Sequence, residues 1–129
     1  LPAGEIVPTS SRMVLHLRSY FAREPDREKV VIVYLSNRNG ILGTEVLFTG
    51  SISSSEIYPR ELIKKVLRYS ATAIILAHNH PSGNSYPSQN DRAITEKIKH
   101  ACMLIDVKLH DHFILCRDGY TSFKDQGYL

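Results

Sequence analysis

The sequence predicts an α/β fold, a mixed β-sheet flanked by helices. Three observations carry that expectation. The runs Val30–Leu35 and Ala73–Ala77 are almost wholly apolar and only a few residues long, which suits strands covered on both faces better than helices. Two longer stretches carry apolar residues at helical spacing against charged ones, the mark of helices packed on a core. Strand-like and helix-like segments follow one another in the order α, β, β, α, β, α, β, β, with no internal repeat, so sheet and helices belong to one layered unit.

Each element has its local reason. Residues 1–10 are an extended, Pro-bearing lead-in, and residues 11–129 form a single domain. Ser10 or Ser11 caps a helix running to about Ala22, with Val14, Leu15, Leu17 and Phe21 as its apolar members, and Glu24-Pro25-Asp26 ends it. The strand Val30–Leu35 is followed by Asn37-Arg38-Asn39-Gly40, hairpin chemistry that returns an antiparallel strand from Ile41 to about Thr49. A Ser-rich loop spans Gly50 to Ile57. Pro59 then opens a helix, its fixed φ suiting a first turn, with Leu62, Ile63, Val66 and Leu67 in one stripe. After the strand Ala73–Ala77 comes a polar loop from His78 to Pro87, and Ser88 starts a helix with Ile94, Ile98, Ala101 and Leu104 or Ile105 on one face. Val107–Cys116 is the last long strand, and Asp118-Gly119 turns it back as Tyr120–Phe123.

Composition excludes several classes. With 129 residues, 43% hydrophobic and 22% charged, the chain buries enough surface for a core without disulfides and is neither disordered nor collagen-like. Two scattered cysteines, Cys102 and Cys116, lack the Cys-x-x-Cys spacing of a thiolate metal site and read as core thiols. No apolar run reaches the ~18 residues of a membrane span and the start lacks signal-peptide features, so a soluble, cytoplasmic protein is expected. The missing initiator Met suggests a piece of a longer chain. Sixteen Lys plus Arg against thirteen Asp plus Glu leave a formal charge of only +3. That excess is too small, and too scattered, to announce a nucleic-acid surface.

Histidine stands out. Of six, four form pairs at i, i+2: His78 with His80 and His110 with His112. Alternate strand residues face the same side, so His78 and His80 aim two imidazoles into one space, half of a metal site. A catalytic zinc takes three protein ligands and keeps one position open. Asp91 is the candidate third ligand, eleven residues beyond His80 and in the first turn of the next helix. Ser88-Gln89-Asn90-Asp91 also fits a capping box, which alone would account for Asp91. Two same-facing histidines, a turn-forming loop and a carboxylate within fourteen residues outweigh those separate explanations.

His78-x-His80, seven residues, Ser88, two residues and Asp91 resemble the JAMM signature of MPN-domain metalloproteases. Pro59-Arg60-Glu61, His78-Asn79-His80-Pro81-Ser82-Gly83, Pro87-Ser88 and Asp111-His112 extend the resemblance to the bacterial RadC branch over about residues 11 to 128. It implies a cytidine-deaminase-like JAB/MPN fold and a zinc-dependent hydrolase of peptide or isopeptide bonds, with one zinc per chain held by His78, His80 and Asp91 and a water in the fourth place. It further implies a glutamate just before the first core strand as acid/base, best matched by Glu28 with Glu45 and Glu61 as rivals, and Ser88 as an oxyanion stabiliser. Eukaryotic relatives carry serine where this chain has Asn79, as the RadC branch does, so their isopeptide substrates do not transfer. The substrate is a protein or peptide of unknown identity.

Asp111 and His112 are candidates for supporting the metal ligands from behind. On a regular strand His110 and His112 share one face and Asp111 takes the other. His16 and His100 lie on helices and read as solvated. An alternative reading is a DNA-associated module, since the RadC branch is linked to DNA repair; salt-dependent DNA binding retained after His78→Ala would mark it. Nucleoside deamination needs His-x-Glu and a later Pro-Cys-x-x-Cys, and neither occurs. The Ser82–Tyr86 loop and the Gly50–Ile57 segment are the expected walls of a substrate groove.

Overall fold

The computed structural model describes residues 9–51, 53–81 and 83–129; the lead-in expected over residues 1–10 lies almost wholly outside them. The elements are α1 (Ser10–Arg18), β1 (Lys29–Leu35), β2 (Ile41–Thr49), a helical turn at Ser54–Glu56, α2 (Pro59–Arg68), β3 (Ala73–Asn79), α3 (Gln89–Met103), β4 (Lys108–Cys116) and β5 (Gly119–Ser122). One mixed sheet of five strands runs in the order β2-β1-β3-β4-β5. β3 and β4 are parallel, joined by α3 as crossover, and the other three pairings are antiparallel. The α/β class expected from the sequence is the one observed.

Helices on both faces explain the two unbroken apolar strands. Every residue of β1 and β3 is buried. Val30, Ile32, Tyr34, Ile74 and Leu76 pack with Leu62 and Val66 of α2 and Ile94 and Ile98 of α3. Their alternates Val31, Val33, Leu35, Ile75 and Ala77 pack with Met13, Val14 and Leu17 of α1. The edge strand β2 is covered less completely, and Leu42 and Val46 are exposed. Among the described residues no helix is long and apolar enough to cross a membrane.

Three departures from the sequence expectation matter. α1 ends at Arg18 rather than near Ala22 because the following amides tighten, Tyr20 N–H donating to the Leu17 carbonyl and Phe21 N–H to the Arg18 carbonyl. The Arg18 guanidinium ties that end to the β4–β5 turn through the carbonyls of Cys116 at 3.0 Å and Gly119 at 3.1 Å. β3 continues two residues past Ala77, so His78 lies on the strand itself. Finally, β4 is irregular: Ile74 pairs with Leu109 and Ile75 with Asp111, which leaves His110 as a bulge. Leu109 accordingly faces the α2/α3 side while Phe113, four residues on, faces α1. A bulge adds one residue to one strand and reverses the faces beyond it, so the expectation that His110 and His112 share a face is corrected.

Candidate metal centre

His78 follows Leu76 by two residues on the α3 face of β3, at the strand's carboxyl end. The chain then turns through Pro81 to Pro87 and enters α3, where Ser88 caps the helix. Ser88 Oγ accepts the Asp91 N–H at 3.0 Å, and Asp91 Oδ2 accepts the Ser88 N–H at 2.9 Å. The capping box expected from the sequence is therefore present, and it aims the Asp91 carboxylate back at the strand end. Asp91 Oδ1 meets His78 Nδ1 at 2.9 Å and Oδ2 meets His80 Nε2 at 2.9 Å. Cap and ligand are compatible roles, because a carboxylate offers about four acceptor positions.

The hydrogen-bond pattern fixes the protonation of His80. Its Nδ1 faces the Asn84 carbonyl at 2.9 Å and its Nε2 the Asp91 carboxylate. Both partners are pure acceptors, so both ring nitrogens donate and the ring is an imidazolium. The hydrogen bond to Asp91 raises the His80 pKa above its usual value; burial opposes this, and the Asn84 carbonyl and the Asp91 and Glu28 charges add to it. Burial of Asp91 disfavours its ionisation, yet the hydrogen bonds from His78, His80 and Ser88 overcome that and hold the carboxyl far below the usual carboxylate range.

One donor atom from each of His78, His80 and Asp91 lies within 4.8 Å of the others. Ligand atoms around a tetrahedral zinc stand about 3.4 Å apart, given bonds of ~2.0 to 2.2 Å, so a small closure of these side chains would seat an ion. Two imidazoles and a carboxylate are also the chemistry such an ion takes. The residues present fit a metal.

Around this trio the structure sorts the remaining candidates. Glu28 directly precedes β1, and the register Val30 opposite His78 carries it toward the His80 level. Its carbonyl accepts the Gly50 N–H at 2.7 Å, and its charge acts on His80. The rivals are engaged elsewhere. Glu45 Oε1 accepts the Tyr34 hydroxyl at 2.6 Å, and Glu61 is exposed beside Lys64 and Arg60. The Ser88 hydroxyl accepts in the cap, which leaves its own proton for another partner.

His112 is buried behind the trio. Thr95 Oγ1 donates to the Asp91 carbonyl at 2.8 Å and also meets His112 Nδ1. Since the single hydroxyl proton goes to the carbonyl, His112 Nδ1–H is the donor in the second bond. The imidazole stacks on Phe123 with centroids 4.6 Å apart. Burial pushes its pKa down to about 3, with the neighbouring His78 and His80 adding to the effect and Asp91 opposing it, so His112 is neutral. Asp111 has other partners: Oδ2 accepts from the Ser122 hydroxyl at 2.6 Å, and Oδ1 accepts the His112 and Lys124 amides at 2.7 and 3.0 Å. The bulge turns it away from the α3 face, and it holds the β4–β5 end instead of the metal ligands.

The sequence reading missed Thr95. Its signal was available, since Thr95 follows Asp91 by four residues on the same helix face. His16 is half-buried against Tyr20 rather than solvated, whereas His100 is exposed beside Glu96. A cleft of about 320 Å³ opens next to His80, lined by Phe21, Pro25, Asn79, Pro81 and Leu115 among others. This concavity lies between the end of α1 and the ends of β3 and β4, and a smaller one is lined by Leu47, Phe48, Ile57 and Tyr58; of the two segments expected to wall a groove, Ile52 and Ser82 lie outside the described residues.

The RadC-like JAB domain family matches residues 8–128. The chain is 42% identical over 129 residues to a UPF0758 protein of Photobacterium profundum, and 40% and 39% identical to UPF0758 proteins of Vibrio atlanticus and Vibrio vulnificus. In each case all of this chain is covered but only 57% of the relative, so the chain spans little more than half their length. With the family matching nearly the whole chain and relatives near 40% identical over its full length, this chain belongs to the RadC-like JAB domain family.

Proposed function

We propose that this domain is a zinc-dependent hydrolase of peptide or isopeptide bonds, acting on a protein or peptide substrate. The observation that carries the reading is the buried Asp91 carboxylate held between His78 and His80, each at 2.9 Å, where no packing need explains three ionisable groups meeting. In it His78, His80 and Asp91 hold one zinc, the two imidazoles as neutral ligands. A zinc bound there polarises the scissile carbonyl and lowers the pKa of a bound water toward ~7.

The chain's own residues supply the rest. Glu28, as acid/base, takes the proton of the attacking water and returns it to the leaving amine, so its carboxylate begins and ends the cycle ionised. The Ser88 hydroxyl donates to the developing oxyanion while its oxygen continues to cap α3. Without an ion Asp91 holds both imidazoles in place, and the box at Ser88 keeps Asp91 from rotating away.

Metal analysis of wild type, His78→Ala, Asp91→Ala and Glu28→Gln tests this, together with hydrolysis of a peptide and isopeptide library. Wild type is expected to hold about one zinc per chain, the first two variants none, and Glu28→Gln the full complement with hydrolysis lost. Wild type that takes up no zinc from a metal-replete buffer refutes the proposal.

A further inference from the structure

We infer that Asn79 is a positioning residue that fixes Glu28 against the His78-His80 segment; the inference rests on the proposed role of Glu28. Asn79 sits between the two histidines at the end of β3, and its side chain is buried. Its Oδ1 accepts the Lys29 N–H at 2.7 Å and its Nδ2 donates to the Arg27 carbonyl at 2.8 Å. Only this amide orientation satisfies both partners. The two bonds grip the residues on either side of Glu28.

The location explains why a side chain is needed. Backbone pairing between β1 and β3 ends at Val30 opposite His78, so Arg27, Glu28 and Lys29 have no partner strand on that side. A planar carboxamide carries one donor edge and one acceptor edge, as a peptide group does, and it continues the ladder for one more step. On the other side the Gly50 N–H donates to the Glu28 carbonyl at 2.7 Å. With three bonds on residues 27 to 29, the Glu28 backbone is fixed and only its side-chain torsions remain free.

The consequence is that the two histidines and Glu28, at least fifty positions apart in the chain, share one rigid backbone unit joined through Asn79. The residue type is selective. Asp has no donor for the Arg27 carbonyl, Ser is too short to reach both partners, and Gln is one methylene too long for the same strand spacing. Asn79 touches neither Asp91 nor the imidazole nitrogens, so its work falls on Glu28 and not on metal uptake.

Cobalt(II) reads the geometry without a substrate. Protein carrying ¹³C in its glutamate carboxyls and threonine methyls is loaded with Co(II), and paramagnetic broadening is recorded for Glu28 and Thr95. Wild type is expected to show strong broadening at both. Asn79→Ala should bind Co(II) with unchanged stoichiometry and unchanged Thr95 broadening, while the Glu28 signal recovers several-fold and the Lys29 amide loses exchange protection. Asn79→Asp, which keeps the acceptor for Lys29 and loses the donor for Arg27, should recover part of the Glu28 signal; if Asn79→Ala does not fold, this variant decides. Glu28 broadening equal to wild type in a folded, Co(II)-loaded variant overturns the inference and leaves the metal proposal standing. Wild type that takes up no Co(II) overturns both.

Discussion

Replacing Asp91 by Asn in metal-free protein exposes the electrostatics of the trio, because it removes the charge and keeps the shape. The wild-type carboxylate accepts three hydrogen bonds, from His78, His80 and the Ser88 amide. Bonds to a buried ionised group contribute ~1.5 to 3 kcal/mol each, reduced by the cost of burying the charge. Asn retains one acceptor oxygen and turns an NH2 toward the other donors, so a net loss of about 3 kcal/mol follows at the optimum. At roughly 4 °C per kcal/mol for a domain of this size, the melting temperature falls by about 12 °C.

The loss depends on pH in two directions. The folded pKa of Asp91 is depressed, so its contribution is present above the unfolded value near ~3.9 and disappears as pH falls through the folded value. The folded pKa of His80 is raised, so its contribution is complete below the unfolded value near ~6.5 and disappears as pH rises through the folded value. The difference between wild type and Asp91→Asn is therefore largest between about pH 4 and 6.5 and smaller on either side. Urea unfolding of both proteins in chelator, at half-unit steps from pH 3 to 9, measures it. A difference that is flat across this range, or below about 1 kcal/mol at pH 5, refutes the assignment of an ionised Asp91 hydrogen-bonded to a protonated His80.

Two further outcomes concern the buried histidine behind the site and the packing at the far end of β1. His112 is neutral when folded, with a pKa near 3, and titrates near ~6.5 when unfolded; wild type should lose stability as pH falls below that value, at a slope approaching ~1.4 kcal/mol per pH unit. His112→Leu should remove that slope, and parallel pH profiles for the two proteins in urea unfolding would contradict a buried neutral histidine. A methyl group at Gly43 would collide with the Tyr69 ring at Cε1, and that ring stacks on Tyr34 with centroids 4.0 Å apart. Gly43→Ala should cost ~1 to 3 kcal/mol by overpacking, read as a shifted urea midpoint with unchanged slope; an unshifted midpoint would show that Tyr69 moves freely.

Local pattern carried much of the fold. The unbroken runs in β1 and β3 announced strands covered on both faces, Pro59 marked the start of α2, and Asn39-Gly40 marked the β1–β2 turn. The same holds for His78, His80, Ser88 and Asp91, whose strand periodicity and helix cap act over a few residues. Where the pattern misled, the cause was an irregularity that leaves no local mark. Nothing in the run Lys108–Cys116 signals that His110 bulges, because the bulge is set by pairing with β3 and not by its own residues. That displacement decides that His112 faces Thr95 and α3 while Asp111 turns to Ser122.

The sequence by itself determined the α/β class, the order of elements and the short constellation of possible metal ligands, since each depends on neighbours within one strand, turn or helix start. The tertiary structure alone decided that the backbone at Glu28 comes level with His80, that Asn79 bridges the Glu28 segment, and that Thr95 links His112 to Asp91. Those contacts join segments up to 52 residues apart. They depend on strand register and helix docking, which arise from the packing of the whole sheet and cannot be read from any one segment.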